Sequence, residues 1–299
     1  MLKKILLSIV AIVAILFAVV YFLSRPNQEA DGSYSPSNLA LKLGTVAKTD
    51  YEEIAYEKYQ GAKSKILVIF TEQKNLEMKN GKLFSTGNHP VEALLPMLHL
   101  KNAGFDFEIT TPTGKPVVFE MWAFPSEDEN VKAIYEEYKS QFQKPKQLVN
   151  YTDTSVNADE YAAVFVPGGH GAMIGIPEDR NVGKVLNWAN QSDLFTITLC
   201  HGPGSLLTTT LDNQEFLYKG YKMCVFPDAV DEMTPMIGYL PGKMAAGVSE
   251  RLKGLGAEIM NTESDNSVCV DRKLITGASP LASNELGKLA ANTLLKELK

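Results

Sequence analysis

The residues best placed to do chemistry lie between positions 196 and 205. A β-branched run (Phe195–Leu199) ends abruptly at Cys200, which is followed by His201 and Gly202. A buried strand that turns sharply into a helix lifts one side chain above the sheet, as in a nucleophile elbow. Unpaired N–H groups at a helix N-terminus favour a thiolate. The pattern therefore predicts Cys200 as a nucleophile; a small buried hydrophobic residue is the alternative interpretation.

A glycine-rich turn is expected beside the cysteine. Gly168, Gly169 and His170 follow the apolar run 161–166. Ligands in open α/β sheets bind beyond the carboxyl ends of the strands, which is where this turn falls. The amides of Gly169 and His201 are predicted to form an oxyanion hole for a tetrahedral adduct, whereas a plain tight turn is the structural alternative. His170 suits substrate contact and loop structure equally.

Carboxylates complete the predicted constellation. Glu92 lies in the first turn of a helix expected over 90–102, just after His89, a predicted substrate-binding residue. Asp228 and Asp231 follow a later apolar run, and one of these aspartates is expected to orient His201, the histidine next to Cys200. Each carboxylate also has a simpler interpretation as a helix or turn cap. Together these groups predict thiol catalysis assisted by a proton-transfer group.

The composition excludes several classes of function. The chain has 299 residues, 45% of them hydrophobic, and a net charge of −6, which argues against a nucleic-acid partner. Cys200, Cys224 and Cys269 are widely spaced and form no CxxC pattern. Neither a disulfide framework nor a structural zinc site is indicated.

The N-terminus predicts a membrane anchor. Lys3 and Lys4 precede an apolar run over 5–23, which as a helix would measure about 28 Å, near the ~30 Å hydrocarbon core. Residues 1–24 are therefore expected to be an uncleaved anchor, with a cleaved signal peptide as the alternative. The lysines favour a cytoplasmic N-terminus and a catalytic domain outside the membrane. Secretion after cleavage and a cytoplasmic-facing domain are the other locations.

The sequence after residue 24 predicts a tether followed by one α/β domain. Residues 25–62 are polar and irregular, and 63–299 alternate apolar runs with amphipathic segments, which predicts a parallel sheet covered by helices. An aromatic and then charged stretch over 112–150 breaks the alternation and is expected to be a small cap insertion. Strands are predicted at 65–70, 105–110, 161–166, 195–199, 221–226, 257–260 and 268–275, and helices at 90–102, 127–144, 182–190, 246–255 and 281–298.

Six stretches carry a resemblance to a known family. They are GKLFSTGNHPVEALLP (81–96), FEMWAFPSEDENV (119–131), EYAAVFVPGGHGAMIGIPE (160–178), LCHGPGSLL (199–207), FPDAVDEMTPMIGYLPG (226–242) and DRKLITGASPLASNELGKLAA (271–291). They resemble the PfpI-like superfamily, also called class I glutamine-amidotransferase-like, and within it the branch of bacterial heat-shock chaperones and glyoxalase III enzymes.

The resemblance implies a flavodoxin-like sandwich that forms a homodimer. It also implies Cys200 as nucleophile, Glu92 as its carboxylic neighbour, and His201 paired with Asp231. Members of this branch convert methylglyoxal to lactate without glutathione, so a glyoxalase III-type lyase acting through a Cys200 hemithioacetal is the leading hypothesis. A holdase chaperone with a redox-sensitive thiol, and a deglycase or aldehyde-repair protein of the cell envelope, are the alternatives, with unfolded or glycated proteins as partners.

No cofactor and no metal are predicted. Close relatives carry a site of two histidines and one carboxylate near the cap, and the matching positions here are Lys101, Asp106 and Tyr138. Lysine and tyrosine are poor replacements for imidazole at a zinc site. No histidine follows His201, which argues against glutamine hydrolysis and weakens a protease interpretation.

Overall fold

The computed structural model describes residues 2–152 and 156–298; within the first helix, the side chains of residues 2–8, 13, 14, 16 and 17 lie outside the description. The predicted anchor falls partly on those positions. Over the described residues, no helix is both long and apolar enough to cross a bilayer, so the transmembrane helix predicted within 1–24 finds no support there.

The secondary structure alternates along most of the chain. The helices are α1 (Leu2–Leu23), α2 (Asn38–Gly44), α3 (Pro90–Asn102), α4 (Glu129–Gln143), α5 (Arg180–Gln191), α6 (Asp228–Met233), α7 (Val248–Gly254) and α8 (Ser283–Glu297). The strands are β1 (Asn27–Gln28), β2 (Tyr34–Ser35), β3 (Lys65–Ile69), β4 (Asn75–Glu77), β5 (Leu83–Ser85), β6 (Asp106–Thr111), β7 (Lys146–Gln147), β8 (Tyr161–Val166), β9 (Phe195–Leu199), β10 (Lys222–Met223), β11 (Glu258–Ile259), β12 (Val268–Asp271) and β13 (Leu274–Gly277).

A seven-stranded sheet forms the centre of the fold, in the order β12-β13-β9-β8-β3-β6-β7. Every neighbouring pair is parallel except β12 and β13. The carboxyl ends of β8 and β9 therefore open at the same edge, which is where an α/β sheet binds ligands. The predicted parallel α/β sheet is confirmed.

The central strand β3 faces a core on both sides. Ile66, Val68 and Phe70 pack in the core beneath α3, α4 and α8, while Leu67 and Ile69 belong to the second core beneath α5 and α7. Successive strand residues point to opposite faces, so a continuous apolar run serves both cores. The result is a sheet sandwiched between helical layers.

The segment before β3 packs onto the domain. Strands β1 and β2 join β5 and β4 in a second, four-stranded sheet. Ser37 caps α2 by accepting a hydrogen bond from the Ala40 N–H. The Ser37 hydroxyl in turn donates to the Ile237 carbonyl at 2.7 Å, which ties this segment to the opposite end of the chain.

The strand predicted over 221–226 is wrong in extent. Only β10 forms, and it pairs with β11 in a separate two-stranded sheet. Beyond it, the Cys224 N–H donates to the Thr276 hydroxyl, and the Val225 backbone exchanges hydrogen bonds with the Asn261 side chain. Side-chain amides and hydroxyls thus satisfy a backbone that the apolar pattern assigned to a sheet.

Candidate active site

Cys200 occupies a strained turn between β9 and a 3-10 helix that begins at Gly202. Its φ is +60°, in the left-handed region that non-glycine residues rarely adopt. The Cys200 N–H donates to the Gly277 carbonyl, and the Cys200 carbonyl accepts from the Phe226 N–H, both at 2.9 Å. A Cβ at Gly202 would lie 2.4 Å from the Val166 carbonyl oxygen, so only glycine fits there. Backbone packing on both sides therefore holds the thiol in place.

The thiol, a histidine and an aspartate are connected. The Cys200 Sγ lies 3.3 Å from His201 Nδ1, and His201 Nε2 lies 2.8 Å from Asp231 Oδ2. Because an ionised carboxylate only accepts hydrogen bonds, Nε2 must carry the proton. Nδ1 is then free to accept the thiol proton, which is the arrangement a general base needs.

Asp231 accepts a hydrogen bond from each of two imidazoles, those of His201 and His170. His170 Nε2 donates to Asp231 Oδ1 at 2.9 Å, and the His170 and His201 rings lie 4.2 Å apart. Burial alone would raise the pKa of Asp231, but His201 and His170 hold that pKa well below its usual range. The carboxylate therefore stays ionised and fixes both rings. The sequence placed His170 at this edge without indicating that it shares the aspartate.

Glu92 is the carboxylic neighbour of the thiol. It lies in the first turn of α3 and is 1% exposed. Burial, together with the charge of Glu120, raises the pKa of Glu92 well above its usual value, against the effect of hydrogen bonds from Cys200 and the Gly169 amide. This shift favours the neutral acid, which can donate a proton.

Burial also raises the pKa of the Cys200 thiol. The charge of Asp231, and that of Glu92 whenever it is ionised, acts in the same direction, whereas the Gly169 N–H lowers the pKa. His201 Nδ1, 3.3 Å from the sulfur, is positioned to accept the thiol proton. Cys200 is 2% exposed, so the two groups lie away from bulk water.

The glycine turn is shaped by close contacts. A Cβ at Gly168 would lie 2.0 Å from Glu92 Oε2, and one at Gly169 would lie 2.4 Å from the backbone nitrogen of His89. Gly169 has φ +94° and ψ 154°, a conformation that only glycine adopts readily. Gly168 therefore lets the turn lie directly against Glu92 and Cys200, whereas Gly169, whose amide was predicted to form the oxyanion hole, lets it lie against the backbone of residues 87–89.

These groups line one cavity of about 300 Å³. His89 lies in its wall, and burial, with the charge of His170, lowers the pKa of that imidazole to about 3, so it is neutral. Two contributors were missed by the sequence analysis. Glu120 gave no signal beyond its position in the aromatic stretch 119–124, and residues 40–46, assigned to the tether, line the opposite side.

Two other polar residues, Asp228 and His99, lie outside the cavity. The Asp228 carboxylate accepts the backbone N–H groups of Ser249 and Glu250, at 3.0 and 2.8 Å, and so caps α7, which was the alternative interpretation of that carboxylate. His99 is fully buried between the Tyr56 hydroxyl and the Asn284 side chain, at 2.9 Å from each, and has a structural role.

The implied metal site does not fit a metal. Lys101, Asp106 and Tyr138 do meet, but the Lys101 ammonium lies 2.9 Å from the Tyr138 hydroxyl and 3.5 Å from Asp106. An ammonium thus stands among the groups that would otherwise face a cation. Separately, His170, His201 and Asp231 bring three ligand atoms within 4.8 Å of one another, although their mutual hydrogen bonds already use these atoms.

The chain folds as a parallel α/β sandwich with a cysteine elbow, and a carboxylic acid and a histidine–aspartate pair lie beside the thiol. These features define a class of α/β proteins with a thiol at the elbow. The family model of the DJ-1/PfpI family matches residues 83–292, and the chain belongs to that family.

Similar proteins agree with this membership. The protein/nucleic acid deglycase HchA of Escherichia coli O157:H7 (strain EC4115) is 48% identical over 266 residues, which cover 89% of this chain and 93% of that protein. The Rapid Encystment Protein 24 kDa of Francisella tularensis has a TM-score of 0.63 and 20% identity, covering 77% of this chain and 99% of its own. Glyoxalase III of Candida albicans has a TM-score of 0.59 and 22% identity, covering 76% and 96%. The two structures share the flavodoxin-like fold.

Proposed function

We propose that the protein is a cysteine-dependent carbonyl-repair enzyme, which releases amines from their early adducts with dicarbonyl compounds. The observation that carries this proposal is the 48% identity, over 89% of the chain, to a protein named as a protein/nucleic acid deglycase. The geometry supports it, because a buried thiol with a base and a neutral acid suits reversible addition to a carbonyl carbon.

The first step exchanges an amine for sulfur. In a methylglyoxal adduct the amine is bonded to a carbon that also carries a hydroxyl group. His201 takes the Cys200 proton, the sulfur bonds to that carbon, and the carbon–nitrogen bond breaks. The neutral Glu92 supplies the proton with which the amine leaves. The product on the enzyme is a hemithioacetal.

The second step is an internal redox isomerisation. A proton moves from the sulfur-bearing carbon to the neighbouring ketone carbon through an enediol, which converts the hemithioacetal to a thioester. One carbon is oxidised as the other is reduced, so no external oxidant takes part. Water then releases lactate and restores the thiol. The Gly169 amide, which faces the thiol, is placed to stabilise the oxyanion of each adduct.

Glyoxalase activity on free methylglyoxal is the second candidate. The two functions share every step after the hemithioacetal and differ only in whether the dicarbonyl arrives free or bound to an amine. A cavity of only about 300 Å³ and a cysteine only 2% exposed favour a small free substrate. The net charge of −6 favours small molecules and proteins over nucleic acids as substrates.

One kinetic experiment separates the two candidates. N-acetyl-lysine that carries a methylglyoxal adduct is mixed with increasing enzyme, and amine release and lactate are followed. A deglycase releases amine faster than the adduct dissociates spontaneously, in proportion to enzyme concentration. A glyoxalase reaches a ceiling at the spontaneous rate. Cys200→Ala is the control that removes the thiol, and absence of lactate from both substrates with the wild type would reject both candidates.

Holdase activity, homodimerisation and a location outside the cytoplasmic membrane stay predictions. A Cys200→Ala variant that still suppresses aggregation of an unfolded client would assign the holdase role to a surface away from the thiol. Sedimentation of the purified chain tests the dimer. Protease treatment of intact cells tests the location, because only an outward-facing domain is digested without lysis.

A further inference from the structure

The cavity contains more polar atoms than the thiol chemistry uses. Three of the residues that line it each have a buried side-chain atom that lacks any hydrogen-bond partner: His89 Nδ1, Glu92 Oε2 and Glu120 Oε2. Leaving a buried polar group unpaired costs about 1–3 kcal/mol, so native structures rarely tolerate it without a ligand or water. Glu92 is explained by the thiol, whereas Glu120 has no part in the steps above.

Glu120 is held firmly beside the reacting centre. It is 1% exposed, and its Oε1 accepts a hydrogen bond from the Thr86 hydroxyl. The backbone N–H groups of His170 and Gly87 face the Glu120 carboxylate, while the amide of Gly169, which precedes His170, faces Cys200. The Glu120 carboxylate and the Cys200 thiol therefore face neighbouring backbone N–H groups of the same turn.

The charge of the cavity restricts what can bind there. Among the described residues that line it, no lysine or arginine occurs, whereas Glu92, Glu120 and Asp231 all contribute carboxyl groups. Asp231 is ionised, and burial raises the pKa of Glu120 to about 7, so that it carries part of a negative charge at neutral pH. A carboxylate or phosphate on the substrate would lose its hydration there without gaining a counter-charge.

We propose that Glu120 is a specificity-determining residue whose Oε2 accepts a hydrogen bond from a hydroxyl group on the carbon next to the reacting carbonyl. The preferred substrates are then uncharged, hydroxyl-bearing aldehydes and ketoaldehydes of the kind that sugars release, and carboxylated or phosphorylated analogues are rejected. The neutral His89 lines the same cavity and offers Nδ1 as a second partner for such a hydroxyl. This inference rests on the proposed addition of Cys200 to carbonyl compounds.

Three two-carbon aldehydes form a matched set of probes. Acetaldehyde, glycolaldehyde and glyoxylate carry a methyl group, a hydroxymethyl group and a carboxylate beside the same aldehyde. Each forms a reversible hemithioacetal that protects Cys200 from alkylation by iodoacetamide, which peptide mass spectrometry follows separately from Cys224 and Cys269. Protection is corrected for free aldehyde and for each probe's hemithioacetal equilibrium with a simple thiol. The assay measures thiol occupancy and therefore needs no turnover.

In the wild type, we expect glycolaldehyde to protect about tenfold better than acetaldehyde, and glyoxylate to protect at least about tenfold worse. In Glu120→Gln the Thr86 hydroxyl and the facing backbone N–H groups retain the amide oxygen, which leaves the NH₂ group toward the cavity. The advantage of glycolaldehyde then falls to less than about twofold, and glyoxylate improves. Glu108→Gln, at a carboxylate that binds Lys146 and Tyr161, is the matched control and leaves all three values unchanged.

A second variant keeps the Glu120 carboxylate but removes its hydrogen bond from the Thr86 hydroxyl. Thr86→Val should weaken the preference for glycolaldehyde while glyoxylate remains excluded, which keeps the test valid if Glu120→Gln does not fold. Equal protection by glycolaldehyde and acetaldehyde in the wild type would overturn the proposal, as would a hydroxyl preference that survives in both variants. Failure of all three aldehydes to protect Cys200 would instead reject the proposed thiol chemistry, and this inference with it.

Discussion

Two polar clusters of this protein show how a ligand site differs from a structural one. Around Cys200, the groups are almost wholly buried, and Glu92 and Glu120 each keep an oxygen without a partner. Around Lys101, the charged groups are partly exposed, although Tyr138 is buried. The ammonium bonds to Glu137 at 2.6 Å and to the Tyr138 hydroxyl, which in turn donates to Asp106. The first cluster thus keeps unsatisfied atoms on residues that line a cavity, as expected of a ligand site, whereas the groups of the second cluster have hydrogen-bond partners within it.

The same contrast appears in the protonation states. Burial raises the pKa of Glu92 and leaves a neutral acid that can donate. Burial works against the charge of Lys101 too, but the bonds from Glu137 and Tyr138 raise its pKa above the usual value, so the ammonium stays charged. The Lys101 ammonium, which is paired with Glu137, has a structural role, whereas the Glu92 carboxyl group has no cationic partner among the described residues and can give up its proton.

The largest effect is expected at the thiol. Cys200→Ala removes the nucleophile and should reduce lactate formation from methylglyoxal by at least about 10³-fold. The variant should fold as the wild type does, because the backbone hydrogen bonds of the elbow remain. Lactate assays alongside circular dichroism check both statements, and lactate formation at an undiminished rate would exclude thiol catalysis.

Asp231→Asn should come next. The amide can no longer accept the N–H groups of His201 and His170 as a charged carboxylate does, so the His201 tautomer that accepts the thiol proton is lost. We expect a decrease in kcat on the order of 10³-fold and slower alkylation of Cys200. His170→Gln is the matched comparison, because it removes one donor to Asp231 but leaves His201 paired. A similar loss in both variants would contradict the separate role assigned to His201.

A smaller and directional effect is expected from Glu120→Gln on the pH profile. The charge of Glu120 raises the pKa of Glu92, and the proposed mechanism requires Glu92 in its neutral form. Activity therefore falls as the pH rises through the pKa of Glu92. Removing the neighbouring charge lowers that pKa, so the basic limb should move toward lower pH by about one unit. A limb that moves upward, or stays in place, would show that the two carboxyl groups do not interact.

The smallest effect is expected in the cluster around Lys101, whose groups bond to one another. Lys101→Met breaks partly exposed ion pairs and should lower the free energy of unfolding by no more than about 1 kcal/mol, with kcat/KM unchanged. Urea denaturation and methylglyoxal kinetics measure the two quantities. Treatment with EDTA should likewise leave activity unchanged, since Lys101 stands where a metal would need a ligand. Loss of activity after EDTA, restored by added zinc, would contradict this prediction.

Local patterns predicted much of the framework that carries the site. Helix α3 spans the residues expected from Pro90 at its first position, and β8 and β9 follow their apolar runs as predicted. The elbow, too, was visible in the sequence, because a β-branched run, a cysteine and glycines stand next to one another. These features depend on residues close together in the chain.

Contacts between distant residues were beyond the sequence analysis. Glu120 enters the cavity because its segment pairs with the one holding Asn88, through an isolated bridge between Asn88 and Phe119. The apolar run at 221–226 failed as a strand because the Asn261 side chain took up the Val225 backbone. Neither partner can be read from local periodicity, which reports burial but not the group that satisfies a backbone.

The bond from Ser37 to Ile237 has a consequence for the order in which the protein is made. The two residues are 200 positions apart, and each belongs to a segment that borders the cavity. The ribosome releases the first of these segments early, yet its partner appears only after most of the sheet has been synthesised. The wall of the cavity around Cys200 is therefore completed only after the elbow has been synthesised, because Ile237, Pro280 and Leu281 all line it.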